Sequence, residues 1–471
     1  MRVLKNRDQR RIFRTYSIKS LSIFIMKKLL SIIFSFLFVF CIFFAFTGCG
    51  KNNTLLDPSN PVTVSMWHVY GEQADSPMNE LIEEFNSTLG KEKGVIVNVT
   101  NMSNASDIGQ KLLDAKNDKA GALDMPDLFT CHVNNAMDLG VDNLIDWNDY
   151  FTEDELSAFV SDFIDNGKIG DCLAVLPASK STHLLFVSGG VFDDFAKQAK
   201  VSYDDLSTWD GFFTVAEKYY DWSGGKPFCA IDYLVRSMEL VALSQGATDL
   251  YTDGGWYDLT NEKTVSSFTR FANAIAKGHI VVSDLYSNTQ IMTGQVVAGI
   301  GSSASILYYN DKITYPDNTQ IDMNLRVLPQ PQTGNGVNLA SQAGVGLCAY
   351  KTTDEKAEAV ALFAKWFTEK KRNLDFVAST GYMPVLNQSF NEIDNYDFKS
   401  PSYKALYAAL SETKKKCTLL PETTVNGYWK KVRSLYAQIR ALQKNLAEKR
   451  ANGETVEDIT AEIVGCFKAL S

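Results

Sequence analysis

The sequence predicts an α/β protein in which helices cover mainly parallel sheets, and three observations lead to this prediction. Strand-like and helix-like patterns alternate over residues 62–131, as expected of parallel strands joined by helices. A second strand and helix pair follows over residues 343–367. The chain has 471 residues, of which 45% are hydrophobic, so it can bury the cores of two or three domains and does not resemble a disordered chain.

The first unit contains three predicted strands and two predicted helices. Residues 62–67 alternate in the manner of a strand, and residues 95–99 and 127–131 give the second and third strands. Residues 78–89 place apolar side chains at helical spacing, and residues 106–120 have a helical composition. The order strand, helix, strand, helix, strand favours a parallel sheet.

The rest of the chain predicts a second domain and a return to the first. Residues 180–310 are mostly helical and rich in aromatic side chains, and they close on an apolar strand at 296–300. The proline-containing residues 328–332 indicate a crossing between domains. A strand at 343–350 leads into a helix, and an amphipathic helix lies at 432–446.

The N-terminus has the pattern of a secretory signal. An uncharged apolar run at 29–46 follows Lys27 and Lys28, and Gly48 precedes Cys49. At 18 residues the run could also remain as an uncleaved membrane anchor. The small residues before Cys49 resemble the lipobox of bacterial lipoproteins, which implies cleavage and diacylation of this cysteine. Residues 1–48 are then a signal peptide with Met26 as its start, and 49–61 are the lipidated cysteine and a tether.

Charge and cysteine usage exclude several classes of protein. The first 48 residues hold nine Lys and Arg and one Asp, so the remaining chain has 37 basic and 54 acidic residues and a net charge of −17. This balance disfavours nucleic-acid binding. The six cysteines after Cys49 form no CxxC and no Cys/His cluster, so we expect no metal site. Buried thiols are expected, although disulfides remain open outside the cell.

Motifs of common enzymes are absent from the sequence. It contains no HExxH, no GxSxG and no P-loop. Residues 299–304 match a loose G-x-G-x-x-A pattern, but they lie late in the chain rather than in a first βαβ unit. An extracellular glycoside hydrolase remains the main alternative, because 54 acidic residues always allow some carboxylate pair to be nominated.

Nine short segments occur in the order found in one family of transport proteins. They are Trp67-His68, 81–86, 125–129, 176–182, 208–212, 292–300, 343–347, 361–367 and 381–385. Together they resemble an extracellular solute-binding lipoprotein of an ABC importer, in the maltose-binding-like, carbohydrate-binding branch. The resemblance implies a periplasmic-binding-protein-like α/β fold with two lobes, three interlobe crossings and a ligand cleft. Lobe one would be 62–175 plus 340–385, and lobe two 180–330 plus 395–471.

Candidate ligand-binding residues of lobe one follow predicted strands, where crevices form in open α/β sheets. Trp67, His68 and Tyr70 follow the first strand and could provide an aromatic platform for a sugar ring, unless Trp67 caps the core. His132, Asn134 and Asn135 follow the strand at 127–131, unless they form a polar turn. The resemblance adds Tyr382 as a ligand-contacting aromatic.

The resemblance also implies contacts at the first crossing and in lobe two. These residues are Lys180, Ser181, Thr182, Asp232, Tyr233, Trp256, Ser302 and Ser303. At the crossing, hinge structure alone would also explain the pattern. Relatives that bind glycerol-phosphate esters use an arginine in a glycine-containing stretch, which here reads 426–429 with Arg433 only later. This departure favours a neutral carbohydrate.

The sequence therefore predicts the substrate-binding component of an ABC importer and not an enzyme. It would capture an extracellular carbohydrate, an oligosaccharide, by lobe closure and deliver it to permease subunits, as a monomer with no cofactor. Lipidated Cys49 would anchor it to the outer face of the bacterial cell membrane. The alternatives are a glycoside hydrolase or an adhesive lipoprotein, and a glycerol-phosphate ester or a peptide as the ligand.

Overall fold

Two five-stranded sheets organise the chain in the computed structural model, which describes residues 54–70, 76–101, 105–283, 286–398 and 400–471. Residues 56–471 form one compact unit. The predicted signal peptide and Cys49 lie outside the described residues. Across the ranges given above, no helix has the length and apolar character needed to span a bilayer.

The strands are short and spread along the chain. In order they are β1 Val62–His68, β2 Val95–Asn101, β3 Leu128–Cys131, β4 Lys168–Ile169, β5 Cys172–Leu173, β6 Leu176–Pro177, β7 His183–Ser188, β8 Cys229–Ile231, β9 Ile280–Val282, β10 Ala298–Ser302, β11 Lys312–Thr314, β12 Gln320–Asp322, β13 Leu325–Pro329, β14 Leu339–Gln342, β15 Gly346–Ala349 and β16 Thr418–Pro421.

Helices fill most of the connections between the strands. In order they are α1 Pro77–Ser87, α2 Leu89–Lys93, α3 Ala105–Lys116, α4 Val133–Leu139, α5 Glu153–Ser157, α6 Ser161–Asn166, α7 Gly189–Ala199, α8 Trp209–Trp222, α9 Leu234–Ser244, α10 Glu262–Ala276, α11 Ser287–Met292, α12 Asp354–Phe367, α13 Lys370–Thr380, α14 Asn387–Ile393, α15 Pro401–Lys416, α16 Tyr428–Lys444, α17 Leu446–Ala451 and α18 Val456–Lys468.

The first sheet has the strand order β2-β1-β3-β15-β6. Strands β2, β1 and β3 run parallel, whereas β15 pairs antiparallel with both β3 and β6. Successive side chains of β1 point to opposite faces of the sheet, and buried side chains occur on both faces, although Thr63 is exposed. Val64 and Met66 pack into one core cluster, and Trp67 packs into another with helices α3 and α4. Helices therefore cover this sheet on both sides.

The second sheet has the strand order β13-β7-β10-β8-β9. Strands β10, β8 and β9 run parallel, β7 pairs antiparallel with β10, and β13 pairs antiparallel with β7 at the edge, so β7 alone runs against the other four strands. One face packs on a core rich in aromatic rings, to which α8, α10, α16 and α18 contribute. Within this core the ring of Phe268 stacks on the ring of Phe467, with centroids 4.2 Å apart. The C-terminal helices thus complete the second sheet.

The chain crosses between the two sheets three times. It leaves the first sheet after β6, returns from β13 to β15, and passes to α16 after β16. Strands β14 and β16 pair in parallel with each other along the second and third crossings. The α/β class and the three crossings are therefore as predicted. The lobe boundaries stay a prediction.

Candidate functional site

A cleft lies where the carboxyl ends of strands from both sheets meet the crossing segments. It consists of two cavities, of about 490 Å³ and about 590 Å³, which we call the aromatic chamber and the polar chamber. Five residues line both chambers, so the two are continuous. These shared residues are Val69, Tyr233, Tyr286, Ser302 and Tyr382.

The aromatic chamber is lined by tyrosines from both sides of the cleft. Tyr70 and Tyr382 lie edge to face with ring centroids 5.8 Å apart, and the Tyr70 hydroxyl is 2.5 Å from Ser179 Oγ. Tyr286 and Tyr308 come from the segments around the second sheet, and Tyr286 is 70% exposed. Burial raises the pKa of both Tyr70 and Tyr382, so their hydroxyls stay protonated near neutral pH.

The polar chamber carries amide, hydroxyl and imidazole groups, with one carboxylate and one guanidinium. Its polar lining includes His132, Asn134, Asn135, Asn166, Ser181, His183, Gln342, Glu422, Thr423, Thr424 and Arg433. Burial lowers the pKa of His132 to about 4, and the nearby charge of Lys180 contributes. Burial likewise lowers the pKa of His183 to about 3. Both imidazoles are therefore neutral hydrogen-bonding groups at neutral pH.

His183 and Asp232 show how the second sheet shapes the cleft. The His183 ring stacks on Tyr233 with centroids 4.2 Å apart, and its Nδ1 has no partner within the described residues. The Asp232 carboxylate accepts hydrogen bonds from Ser287 N at 2.8 Å and from Ser287 Oγ at 2.9 Å. Burial raises the pKa of Asp232 to about 6. Asp232 thus fixes the start of α11, which places Tyr286 at the mouth of the cleft.

The structure brings eight of the fourteen predicted ligand-binding residues into the cleft wall. They are Tyr70, His132, Asn134, Ser181, Asp232, Tyr233, Ser302 and Tyr382. The other six are buried away from both chambers. They are Trp67, His68, Lys180, Thr182, Trp256 and Ser303.

Trp67 and His68 lie in the interior of the protein and not in the cleft wall, where the sequence placed them. Trp67 is 3% exposed and packs in the core on the α3 and α4 side of the first sheet. The His68 ring pairs with Asn79 Oδ1 at 2.9 Å through Nε2, and its Nδ1 accepts from Tyr70 N at 3.2 Å. Because helices cover both faces of β1, only residues beyond its end, such as Val69, reach the cleft.

Trp256 lies in the aromatic core of the second sheet and not in the cleft wall, where the sequence placed it. Its Nε1 donates to Phe467 O at 2.9 Å, and its ring contacts Tyr257, Tyr428 and Phe467. The indole is thus enclosed by residues at the C-terminus of the chain. A tryptophan in a connecting segment can enter either a core or a site, and the sequence pattern did not distinguish the two.

Lys180, Thr182 and Ser303 lie behind the cleft wall. Lys180 Nζ donates to Asn166 Oδ1 at 3.0 Å, so it supports a residue of the polar chamber. Ser303 N donates to Thr182 O at 2.8 Å, which joins the first crossing to the end of β10. These residues therefore hold the wall from behind.

Several cleft residues were missed because distant segments supply them. Tyr286 follows the three-residue strand β9, which lies inside the stretch predicted to be mostly helical. Glu422 directly follows β16. Trp429 and Arg433 lie four residues apart on α16 and share a helix face. Arg433 lines the polar chamber, although its late position in the sequence departs from the phosphate-ester pattern.

The described residues offer no metal site and no disulfide. Their histidine, cysteine and acidic side chains form no group of three or more that could hold a metal ion. The six described cysteines are free thiols, and three of them are buried: Cys131, Cys229 and Cys348.

Comparison with known families gives one match that covers most of the chain. The model of a family described as bacterial extracellular solute-binding protein matches residues 80–406. A search of the curated proteins finds no match to this sequence.

Solved structures with the same fold come from several bacteria. A substrate-binding protein of an ABC transporter from Listeria monocytogenes, in complex with cycloalternan, is 15% identical with a TM-score of 0.64. The sugar-binding protein MalE from Xanthomonas citri is 17% identical with a TM-score of 0.62. UgpB from Mycobacterium tuberculosis, in complex with glycerophosphocholine, is 16% identical with a TM-score of 0.61.

Each alignment covers 87% of this chain and between 97% and 99% of the other chain. At these identities the likeness shows the fold alone. The neighbours share the two-lobed α/β architecture.

The interior position of Trp67 generates a prediction about stability. Replacing Trp67 with Ala leaves a cavity in a packed core, so we expect a loss of about 3–5 kcal/mol in the free energy of unfolding. The matched control is Trp222→Ala, because Trp222 is 39% exposed. Urea denaturation of both variants measures the difference, and the control is expected to lose much less. A Trp67→Ala protein of native stability with weakened ligand binding would return Trp67 to the cleft.

Proposed function

The chain belongs to the bacterial extracellular solute-binding protein family, and from this premise we propose that it captures an extracellular carbohydrate for an ABC importer. The ligand is an oligosaccharide that enters the cleft between the two lobes. Closure of the lobes around it then presents the loaded protein to the permease.

The observation that carries this proposal is the continuity of a tyrosine-lined chamber with a polar one. A sugar ring has an apolar C–H face, which stacks on aromatic rings, and an edge of hydroxyl groups, which needs hydrogen-bond partners. Tyr70, Tyr286 and Tyr382 supply rings in the aromatic chamber. His132, Asn134 and Gln342 supply polar groups in the other chamber. A ligand that spans both chambers would use both kinds of surface.

The size of the cleft supports an oligosaccharide rather than a single sugar. Each chamber alone, at about 490 Å³ and about 590 Å³, lies within the range typical of sites for drug-sized ligands. The neighbours solved with cycloalternan and described as sugar-binding support the same ligand class.

A glycerol-phosphate ester is the second candidate ligand. Arg433 lines the polar chamber, and its guanidinium could bind a phosphate group. The neighbour in complex with glycerophosphocholine supports this alternative. The tyrosine lining and the carboxylate of Glu422 favour the neutral sugar.

We further propose that the protein acts by binding alone, as a monomer tethered to the outer face of the cell membrane through diacylated Cys49. The lipobox-like ending of the apolar run supports the tether. The family match supports the extracellular location. Membrane fractionation tests the tether, because a Cys49→Ser protein is expected to leave the membrane fraction. A variant that stays there would instead support an uncleaved anchor helix.

The cleft geometry predicts that Tyr286 and Tyr382 contribute to ligand affinity. Tyr286→Ala and Tyr382→Ala each remove a stacking surface, so we expect binding to weaken at least about tenfold, equivalent to about 1.4 kcal/mol. Trp222→Ala, which removes an exposed aromatic ring outside the cleft, is the matched control. Calorimetric titration with maltotriose, cellotriose and chitotriose measures the affinities.

A thermal-shift screen identifies the ligand before these titrations. A ligand at 100 times its dissociation constant stabilises the folded state by about 2.7 kcal/mol. Recovery of the bound sugar unchanged supports a binding protein, whereas recovery of cleaved products would favour the glycoside hydrolase. Titrations that are unchanged in both tyrosine variants would contradict this assignment of the site.

A further inference from the structure

A group of four charged side chains lies where the three crossing segments meet the floor of the polar chamber. We call Lys180, Arg236, Glu239 and Glu422 the crossing charge cluster. Lys180 belongs to the first crossing, and Glu422 follows β16 in the third. Arg236 and Glu239 lie on α9. Their charges act on one another, since Arg236 and Lys180 favour the ionised form of Glu422 and Glu239 opposes it.

Arg236 is buried and binds both strands that pass between the sheets. Its Nε donates to Ser341 Oγ on β14 at 3.2 Å. Its Nη2 donates to the carbonyl oxygens of Leu420 and Pro421 on β16, at 2.6 Å and 2.9 Å. Its Nη1 forms an ion pair with Glu239. The guanidinium thus fixes the backbone directly before Glu422.

The Glu239 carboxylate is bound on both oxygens by buried side chains of the protein. Besides Arg236, it accepts hydrogen bonds at Oε2 from Tyr251 OH at 2.6 Å and from Tyr257 OH at 2.8 Å. Neither Arg236 nor Glu239 lines a chamber of the cleft. These two residues therefore have a supporting position and leave Glu422 as the member of the cluster that faces the cleft.

The Glu422 carboxylate lines the polar chamber. Two buried polar atoms of the same chamber, His183 Nδ1 and Gln342 Oε1, have no hydrogen-bond partner within the described residues. An ionised carboxylate and an amide oxygen only accept hydrogen bonds. This part of the cleft is therefore suited to a ligand that donates several hydrogen bonds.

The charges of the cluster indicate what kind of donor fits. Two cations, Lys180 and Arg236, and two anions, Glu239 and Glu422, balance when all four are ionised. A neutral polyhydroxyl group preserves this balance. An anionic ligand group beside the Glu422 carboxylate meets repulsion in a poorly solvated site, whereas one beside Arg433, which lines the same chamber, would be attracted.

We propose that Glu422 is a specificity-determining residue, whose carboxylate accepts hydrogen bonds from ligand hydroxyls and rejects anionic ligands, and that Arg236 is its positioning residue. This inference rests on the proposed carbohydrate-binding function and names the residue that selects for neutral sugars.

The proposed ligand selectivity depends on pH, because several groups around the polar chamber titrate near neutrality. Burial raises the pKa of Glu422 to about 7, and Glu239 adds to the rise while Arg236 and Lys180 oppose it. Burial lowers the pKa of Lys180 to about 8 and raises that of Asp232 to about 6. His132 and His183 stay neutral above about pH 5, and the remaining charged group of the chamber is Arg433.

The direction of the pH effect follows from the charge of Glu422. Above pH 7 its carboxylate is ionised, so it accepts hydrogen bonds from ligand hydroxyls and repels anionic ligand groups. Below pH 7 it takes up a proton, and both effects weaken. Selectivity for neutral over anionic sugars should therefore rise with pH through the pKa of Glu422, and loss of the Lys180 charge near pH 8 acts in the same direction.

The experiment compares variants of a chain covering residues 50–471, which contains the whole compact unit of residues 56–471. Maltotriose, cellotriose and chitotriose are the neutral probes, and trigalacturonate is the anionic probe. Glycerophosphocholine, a zwitterion, tests the phosphate-ester alternative. Calorimetric titration at pH 5.5, 7.0 and 8.5 gives the ratio of neutral-sugar affinity to trigalacturonate affinity. The variants are Glu422→Gln, Glu422→Asp and Arg236→Lys, and the matched control is Glu83→Gln on the exposed face of α1.

At pH 8.5 we expect Glu422→Gln to lower the ratio of neutral to anionic affinity by about tenfold or more, and to remove the part of its pH dependence that is centred near pH 7. Glu422→Asp keeps the charge and shortens the reach, so it should keep the exclusion of anions while weakening the neutral sugar. Arg236→Lys should move the pH midpoint of selectivity, which a merely structural role would not do. Glu83→Gln should match the parent protein.

Each contrary outcome has a separate meaning. If a neutral sugar binds but Glu422→Gln leaves both the selectivity and its pH profile unchanged, this inference is overturned and the proposed function stands. If the parent protein prefers trigalacturonate or glycerophosphocholine, the inference is also overturned. If no neutral probe binds, the carbohydrate function fails and the inference fails with it. Where Arg236→Lys does not fold, the two Glu422 variants alone decide.

Discussion

The buried Arg236 guanidinium is the contact on which the geometry of the cleft depends. It joins α9 of the second sheet to β14 and β16, the paired strands of the second and third crossings. Removing one partner of a buried charge pair leaves an uncompensated charge and costs about 3–5 kcal/mol. The cation is therefore retained by the ion pair with Glu239 and by the carbonyl oxygens of the strand it holds. The same contacts place Glu422 at the floor of the polar chamber.

The strand ends around this floor supply groups of two kinds. The ends of β1 and β3 contribute Tyr70 and His132 from one sheet, and the ends of β8 and β10 contribute Tyr233 and Ser302 from the other. This is the position at which open α/β sheets bind ligands. Because the two walls belong to different sheets joined only through the crossings and packed core, a ligand that contacts both walls would favour their approach. Tyr286, which is largely exposed, has the most contact to gain from such an approach.

The sequence was sufficient for the fold class because strand and helix periodicities are local. It also located the residues just beyond strand ends, such as Tyr70 and His132, since these follow directly from the predicted strands. It failed for Trp67, because one sequence does not reveal that helices cover both faces of β1. Glu422 lies more than 200 residues from Lys180 and was missed for a different reason. Their proximity arises from chain crossings, and periodicity carries no information about such long-range contacts.

If two lobes close around a neutral oligosaccharide in this cleft, the protein becomes more compact on binding, and small-angle X-ray scattering of residues 50–471 measures this change. The radius of gyration would be measured while a neutral oligosaccharide that binds is titrated to saturation. We expect a saturable decrease in the radius of gyration, with a midpoint that follows the binding isotherm. Saturation of the ligand without any change in the radius of gyration would contradict closure as the mechanism.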